Sequence, residues 1–126
     1  MMQRLGFLAA AFFAACLALP ATAAELVMVE QRGCLYCRMW HDDVGPDEYA
    51  RTGEGAFAPL RRIDLHAPRP EDITFASPLR ITPTFVLVDE GRELARMEGY
   101  PGEDFFWGLL GMMLKAHTDY DEGGTG

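Results

Sequence analysis

The stretch Gly33-Cys34-Leu35-Tyr36-Cys37 places two thiols two residues apart, between an apolar run at residues 26–29 and a helical pattern. Cysteines at this spacing face each other across the first turn of a helix. Free backbone N–H groups and the positive end of the helix dipole favour a thiolate there. The sequence therefore predicts a dithiol redox site, in which Cys34 lies outermost and attacks while Cys37 resolves the mixed disulfide.

The N-terminal segment has the pattern of a secretory signal. A basic residue, Arg4, precedes an apolar stretch at residues 5–19, and a proline and small residues follow. We expect cleavage after residue 23 or 24, which would remove Cys16, the third cysteine of the chain. One close-set pair would then remain in an oxidising compartment. A pair that closes so small a loop serves chemistry rather than stability.

Two other interpretations of this segment also place the domain outside the cytoplasm. Residues 5–24 are long enough to span a bilayer as an uncleaved anchor, although the small residues at their end favour cleavage. Residues 13–16 resemble a lipoprotein processing site, although phenylalanine suits its first position poorly and apolar sequence continues beyond it. All three interpretations predict an exported protein.

Composition and length describe one small acidic domain. Nineteen acidic residues outnumber eleven basic ones, which gives a net charge of −8. Nucleic acid and anionic membrane surfaces are therefore poor partners. About one hundred residues remain after the signal, enough for one domain with a modest core. We expect a signal peptide at residues 1–24, a folded domain at 25–117 and a disordered, acidic and glycine-rich tail at 118–126.

Hydrophobic periodicity predicts alternating strands and helices along the domain. In chain order they are a strand at 26–30, a helix that ends at Gly45-Pro46, strands at 60–65, 84–88 and 92–98, and a helix at 103–117. Residues 47–58 predict one helical turn and then a loop through Gly53 and Gly55, and residues 68–78 predict a connection with one short helix near 71–76. A crossover joins the first two strands and a tight turn joins the last two, which predicts an α/β fold: a four-stranded mixed sheet with helices on both faces.

Two helix faces supply the predicted core. Trp40, His41 and Val44 lie on one face with Cys37, and we expect Trp40 and Val44 to be buried. The apolar positions of the last helix follow the same period; they are Phe106, Leu109, Leu110, Met113 and Leu114.

Three motifs together resemble the thioredoxin fold. They are the Cys-x-x-Cys after the first strand, Ile81-Thr82-Pro83-Thr84 at the start of the third, and Gly99 before the last helix. Residues 33–41, 58–60 and 81–86 resemble periplasmic thioredoxins of the SoxS type, which are associated with bacterial sulfur (thiosulfate) oxidation.

The resemblance implies an activity. Such a chain would be a periplasmic thiol–disulfide oxidoreductase that acts on disulfides or modified thiols of protein partners, is re-reduced by a membrane thiol donor, and works as a monomer without a cofactor. A disulfide oxidase or isomerase is the alternative within the same chemistry.

The resemblance also implies a substrate surface. In this fold the proline at the position of Pro83 is cis and lies against the disulfide, which leaves the backbone of Thr82 free to pair with an extended substrate. Leu35 and Tyr36 would complete that surface. They replace the Gly-Pro of thioredoxins proper, and this dipeptide strongly affects the reduction potential, so no potential is carried over from the family.

Nearby polar residues are candidate modulators of the thiols. Arg32 and Arg38 would lower the pKa of Cys34 through their charge, although exposed arginines are screened. His41, one turn after Cys37, is either a proton relay or a structural histidine.

A different class of function uses the same residues. Cys34, Cys37 and His41, with Met39 nearby, are the ligand types of a copper or zinc metallochaperone. A closed zinc site would need a fourth ligand from a distant position, His66 or His117. Arg38 follows the second cysteine where a c-type haem site needs histidine.

Overall fold

The computed structural model describes residues 24–122, which form four strands and four helices. The signal segment predicted for residues 1–23 lies outside the described residues, as do residues 123–126. In chain order the elements are β1 (Ala24–Glu30), α1 (Leu35–Asp43), α2 (Gly45–Ala50), α3 (Gly53–Phe57), β2 (Leu60–Asp64), β3 (Thr84–Asp89), β4 (Arg92–Glu98) and α4 (Glu103–His117). Within residues 24–122, no helix combines the length and the apolar character needed to cross a membrane.

The strands form one mixed sheet in the order β2-β1-β3-β4. β1 pairs in parallel with β2, while the β1–β3 and β3–β4 pairs are antiparallel. The parallel pair needs the crossover that carries α1 to α3, whereas β3 and β4 need only the turn at Glu90 and Gly91, both with positive φ. The predicted α/β fold with a four-stranded mixed sheet is confirmed.

One face of the sheet is covered by helices. Trp40 of α1 contacts both Phe85 of β3 and Phe106 of α4, with ring centroids 5.6 and 5.9 Å apart. Trp40 and Val44 are buried, as predicted. On α4, three residues spaced four apart are fully buried: Phe106, Leu110 and Leu114.

Two residues of the predicted apolar face of α4 lie beside this row. Met113 is partly buried against the core, and Leu109 is 37% exposed, so its predicted burial is wrong. The reason is that Phe106, Leu110 and Leu114 point straight at the sheet, whereas Leu109 lies at the edge of the apolar face of α4.

The other face of the sheet is covered by the connection between β2 and β3, so the expectation of helices on both faces is wrong. Ile73 and Leu79 of this connection pack on the valines of β1 and β3. The short helix predicted near residues 71–76 is wrong. The chain there runs along β4 instead: the Thr74 N–H donates to Gly91 O at 2.7 Å, and the Glu93 N–H donates to Thr74 O at 3.1 Å.

A nearly buried ion pair fastens this connection. The Glu93 carboxylate accepts two hydrogen bonds from Arg96, at 2.7 and 2.8 Å, and one from the backbone of Ala76 at 2.8 Å. Arg96 also donates to the carbonyls of Ser77 and Pro78. Burial works to raise the pKa of Glu93, but the bonds from Arg96 and Ala76 outweigh it and hold that pKa below its usual 4.5.

The loop predicted through Gly53 and Gly55 is wrong, because these residues belong to α3. Thr52 begins this helix, since its hydroxyl accepts the Gly55 N–H at 3.0 Å. Gly55 lies so close to the backbone of Tyr49 that a Cβ would meet the Tyr49 carbonyl carbon at 2.7 Å. Tyr49 in turn donates its hydroxyl to Ala58 O at 2.6 Å.

The tail predicted to be disordered is ordered in its first residues. Thr118 ends α4 and bonds back to Leu114 O, and Tyr120 packs against Phe57 with ring centroids 5.2 Å apart. An aromatic side chain that reaches the core in this way fixes the chain as far as residue 120.

We expect alanine at two glycines to have opposite effects on stability. Gly55→Ala should lower the free energy of unfolding by about 1–3 kcal/mol, because the added methyl overlaps the Tyr49 backbone. Gly108→Ala on the exposed side of α4 meets nothing within 4 Å, and it should raise that free energy by about 0.5–1 kcal/mol. Urea unfolding of both variants measures this; equal effects would contradict the packing described at Gly55.

The Glu93–Arg96 pair should make stability depend on pH. A carboxyl whose pKa is lowered by folding stabilises the fold above its unfolded pKa, and this contribution disappears as the pH falls below 4.5. The difference in unfolding free energy between wild type and Glu93→Gln should therefore shrink between about pH 7 and about pH 3. Glu71→Gln, at an exposed position of the same connection, is the control. A difference that stays constant with pH would contradict the expectation.

Candidate active site

The two cysteines of the motif form a disulfide at the start of α1, with their Cα atoms 5.2 Å apart. Cys34 is the N-cap residue, and its sulfur accepts the Cys37 N–H at 3.1 Å. Cys34 is half-buried, whereas Cys37 is 4% exposed beneath the helix. One sulfur therefore lies within reach of solvent and the other lies in the core.

The backbone explains why the pair lies there. Gly33 has a φ of +75°, a conformation that glycine adopts easily, and it turns the chain from the end of β1 into α1. The first N–H groups of α1 have no partner inside the helix and converge near the Cys34 sulfur. After reduction, these groups and the helix dipole favour a thiolate at Cys34.

The segment before β3 is tied to the cysteine loop. Gln31, which follows β1, donates its amide to the Thr82 hydroxyl at 2.8 Å. The Thr82–Pro83 peptide bond is cis, Pro83 is buried, and Pro83 O accepts the Gly99 N–H at 2.7 Å. Hydrogen bonds therefore join the Thr82–Pro83 segment to Gly99 and to Gln31, which precedes the cysteine loop.

An apolar surface surrounds the exposed end of the motif. Leu35 and Tyr36 are 54% and 53% exposed, and Ile81 is 45% exposed. Tyr36 also forms one wall of an open groove of about 450 Å³. The other walls of the groove are formed by Met97, Glu98, Gly99, Tyr100, Pro101 and Leu109. This arrangement gives a polypeptide an apolar surface directly beside the disulfide.

The predicted modulators lie on the opposite, polar side of the disulfide. Arg32 and Arg38 are exposed, and within residues 24–122 their side chains form no ion pair. Arg38 and His41 line an open polar cavity of about 330 Å³ together with both cysteines. His41 Nε2 lies 2.8 Å from Glu30 Oε1.

Two residues of this cavity were missed in the sequence. Glu30 ends β1 and binds Arg62 of β2, with 2.5 Å between Glu30 Oε2 and Arg62 Nε. Burial works to raise the pKa of Glu30, but the bonds from Arg62 and His41 outweigh it and hold that pKa below its usual value. The available signal was a carboxylate at the end of an apolar strand, immediately before the cysteine loop.

Several residues of the metal alternative have other partners. The two sulfurs are bonded to each other, and His66 bonds to Gln31 at 2.8 Å. Among residues 24–122, no three His, Cys, Asp or Glu side chains are grouped so as to hold a metal ion.

Comparison with solved structures identifies a relative. The periplasmic thioredoxin SoxS from Paracoccus pantotrophus, in its reduced form, is 44% identical in sequence with a TM-score of 0.70. The match covers 73% of this chain and 96% of that protein.

More distant structures share the fold. A thioredoxin-fold protein from Helicobacter pylori is 17% identical with a TM-score of 0.54, and the match covers 76% of this chain and 70% of that one. The thioredoxin Mala s 13 from Malassezia sympodialis is 14% identical with a TM-score of 0.52, covering 73% and 76%. No family model and no curated protein matches the chain.

These likenesses agree with the geometry of the site. The four-stranded sheet, the disulfide at the start of α1 and the identity over nearly the full length of SoxS all point to the same chemistry. The chain belongs to the SoxS-type thioredoxins, within the thioredoxin-like superfamily of thiol–disulfide oxidoreductases.

Proposed function

We propose that this protein reduces disulfides, or mixed disulfides, of protein partners in the periplasm. The observation that carries the proposal is the placement of the pair, with Cys34 partly exposed at the N-cap and Cys37 buried behind it. The likeness to a periplasmic thioredoxin supports both the reaction and the compartment.

The first step of the proposed reaction uses Cys34. Its thiolate attacks one sulfur of the partner disulfide, forms a bond from Cys34 to that sulfur, and releases the other partner sulfur as a thiolate. The helix N-terminus favours the attacking thiolate, because it presents free N–H groups to the negative charge.

The second step uses Cys37. Its thiolate attacks the Cys34 sulfur, which forms the Cys34–Cys37 disulfide seen here and releases the second partner thiolate. Two electrons have then passed from this protein to the partner. A dithiol donor must restore them, and we propose a membrane thiol protein for that role.

The proposed substrate surface lies around Cys34, the more exposed residue of the pair. Thr82 precedes β3 and Pro83 has no N–H, so an extended partner segment is able to pair with the Thr82 backbone. Leu35 and Tyr36 would contact the same segment, and the groove beside Tyr36 would accept one of its apolar side chains. In this proposal Arg32 and Arg38 favour the Cys34 thiolate through their charge.

The proposal also includes export of the protein by a cleaved signal peptide. The pattern of residues 1–24 supports a cleaved signal peptide. Ala24 is buried and pairs with Asp89, so cleavage after residue 23 would leave β1 whole. The resemblance to SoxS-type proteins supports partners from sulfur (thiosulfate) oxidation, and the apolar surface beside the disulfide fits protein substrates.

The two cysteines should give different products when each is replaced by serine. With Cys16→Ser in the background and a disulfide-bonded peptide as substrate, Cys37→Ser should accumulate a covalent mixed disulfide that mass spectrometry detects. Cys34→Ser should accumulate none, because its remaining thiol is buried. Both variants should lose turnover. Equal trapping by either variant would contradict the assigned roles.

The proposed role as a reductase requires a reduction potential toward the reducing end of the range for dithiol proteins of this fold, at about −270 to −220 mV. Equilibrating the protein with glutathione or dithiothreitol mixtures measures it, and a reductase needs a value in this range to pass electrons on to partners. A value near about −120 mV would instead indicate an oxidase that introduces disulfides. Failure to form the Cys34–Cys37 disulfide at all would favour metal binding.

A further inference from the structure

A chain of three polar side chains lies beside the disulfide and has no part in the reaction described so far. Arg62 of β2 bonds to one oxygen of Glu30 at 2.5 Å, and the other oxygen lies 2.8 Å from His41 Nε2. Glu30 and His41 side chains are 17% and 25% exposed, whereas Arg62 is 51% exposed. Three separate elements therefore meet at one carboxylate next to the cysteines.

The two hydrogen bonds at Glu30 determine which nitrogen of the His41 ring carries the hydrogen. The bonds from Arg62 and His41 keep Glu30 ionised by holding its pKa low against the opposing effect of burial. An ionised carboxylate accepts hydrogen bonds only, so His41 Nε2 must carry the hydrogen. In the neutral ring, Nδ1 is then left as an acceptor with a free lone pair.

The ring shares a helix face and a cavity with the resolving cysteine. His41 follows Cys37 by four residues on α1, so the two side chains share one face of the helix. Helical side chains lean toward the N-terminus, which directs His41 over the turn that contains Cys37. Both residues line the polar cavity that opens beside the disulfide.

The second step of the reaction needs a proton acceptor. Cys37 is almost fully buried, and burial disfavours the charged thiolate that has to attack Cys34. A base beside the thiol removes this obstacle, as in other cysteine and serine enzymes where a histidine is oriented by a carboxylate. The titratable and charged groups around His41 are Glu30 from β1, Arg62 from β2, Arg38 and Cys37 from α1, and Cys34 at the N-cap of α1.

We propose that His41 accepts the Cys37 proton during resolution of the mixed disulfide, and that Glu30 and Arg62 are positioning residues for the ring. This inference rests on the proposed function. The proton moves from Cys37 Sγ to His41, the sulfur electron pair forms the bond to Cys34, and the bond from Cys34 to the partner sulfur breaks. The partner leaves as a thiolate, and His41, which is partly exposed, returns the proton to solvent.

The test separates the two steps with a chromogenic aromatic disulfide, 5,5′-dithiobis(2-nitrobenzoate), and the reduced full chain carrying Cys16→Ser. Attack by Cys34 releases a first coloured thiolate, and resolution by Cys37 releases a second. In His41→Gln the second phase should slow by about 10²-fold near neutral pH. This deficit should shrink as the pH is raised, because hydroxide increasingly ionises the Cys37 thiol without the base. The first phase should stay within about twofold of wild type, because Cys34 does not use this base.

Control variants keep the result interpretable. His117→Gln, at the exposed end of α4, should leave both phases unchanged. Glu30→Gln should slow the second phase less severely, with the same pH dependence. If His41→Gln does not fold, Glu30→Gln tests the role of His41 in its place. An unchanged second phase, or one slowed equally at every pH, would overturn the role of His41. Absence of the first phase in the wild type would overturn the proposed function itself.

Discussion

The parallel pairing of β1 with β2 is the constraint on which the site depends. Parallel neighbours require a crossover, and this crossover begins at the carboxyl end of β1, where α1 presents its N-terminus. The crossover alone therefore places Cys34 beside the free N–H groups at the start of α1. The same pairing brings Arg62 of β2 alongside Glu30 of β1, so the sheet register also builds the polar side of the site.

Predictions from the sequence succeeded where a local pattern decided the structure. The hairpin of β3 and β4 and the whole of α4 follow from turn residues and apolar period, and both occur at the expected positions. The predictions failed where distant contacts decide: the connection between β2 and β3 runs along β4 through Thr74, and Tyr120 reaches Phe57. Neither contact has a signal within its own segment of the sequence.

The same division holds within the site. The spacing of Cys34 and Cys37 is a local signal and was sufficient to predict a redox pair, which the structure contains as a disulfide. The local signal at Glu30, a carboxylate at the end of a strand, was not sufficient, because the role of Glu30 depends on the strand register. Arg62 pairs with Met28 on the neighbouring strand and reaches the Glu30 carboxylate from there. A sequence shows that a carboxylate ends a strand, but only the paired strands show which cation binds it.

The charges around the site differ in sign from the charge of the chain. The protein carries a net charge of −8, yet Arg32, Arg38 and Arg62 lie on the polar side of the disulfide. Salt screens exposed charges beyond about 8 Å at physiological ionic strength, so three arginines cannot reverse the field that a distant partner meets. Arg62 binds the Glu30 carboxylate directly, and Arg38 lines the cavity that both cysteines share. A distant partner therefore meets the field of an acidic protein, and the arginines act at contact range only.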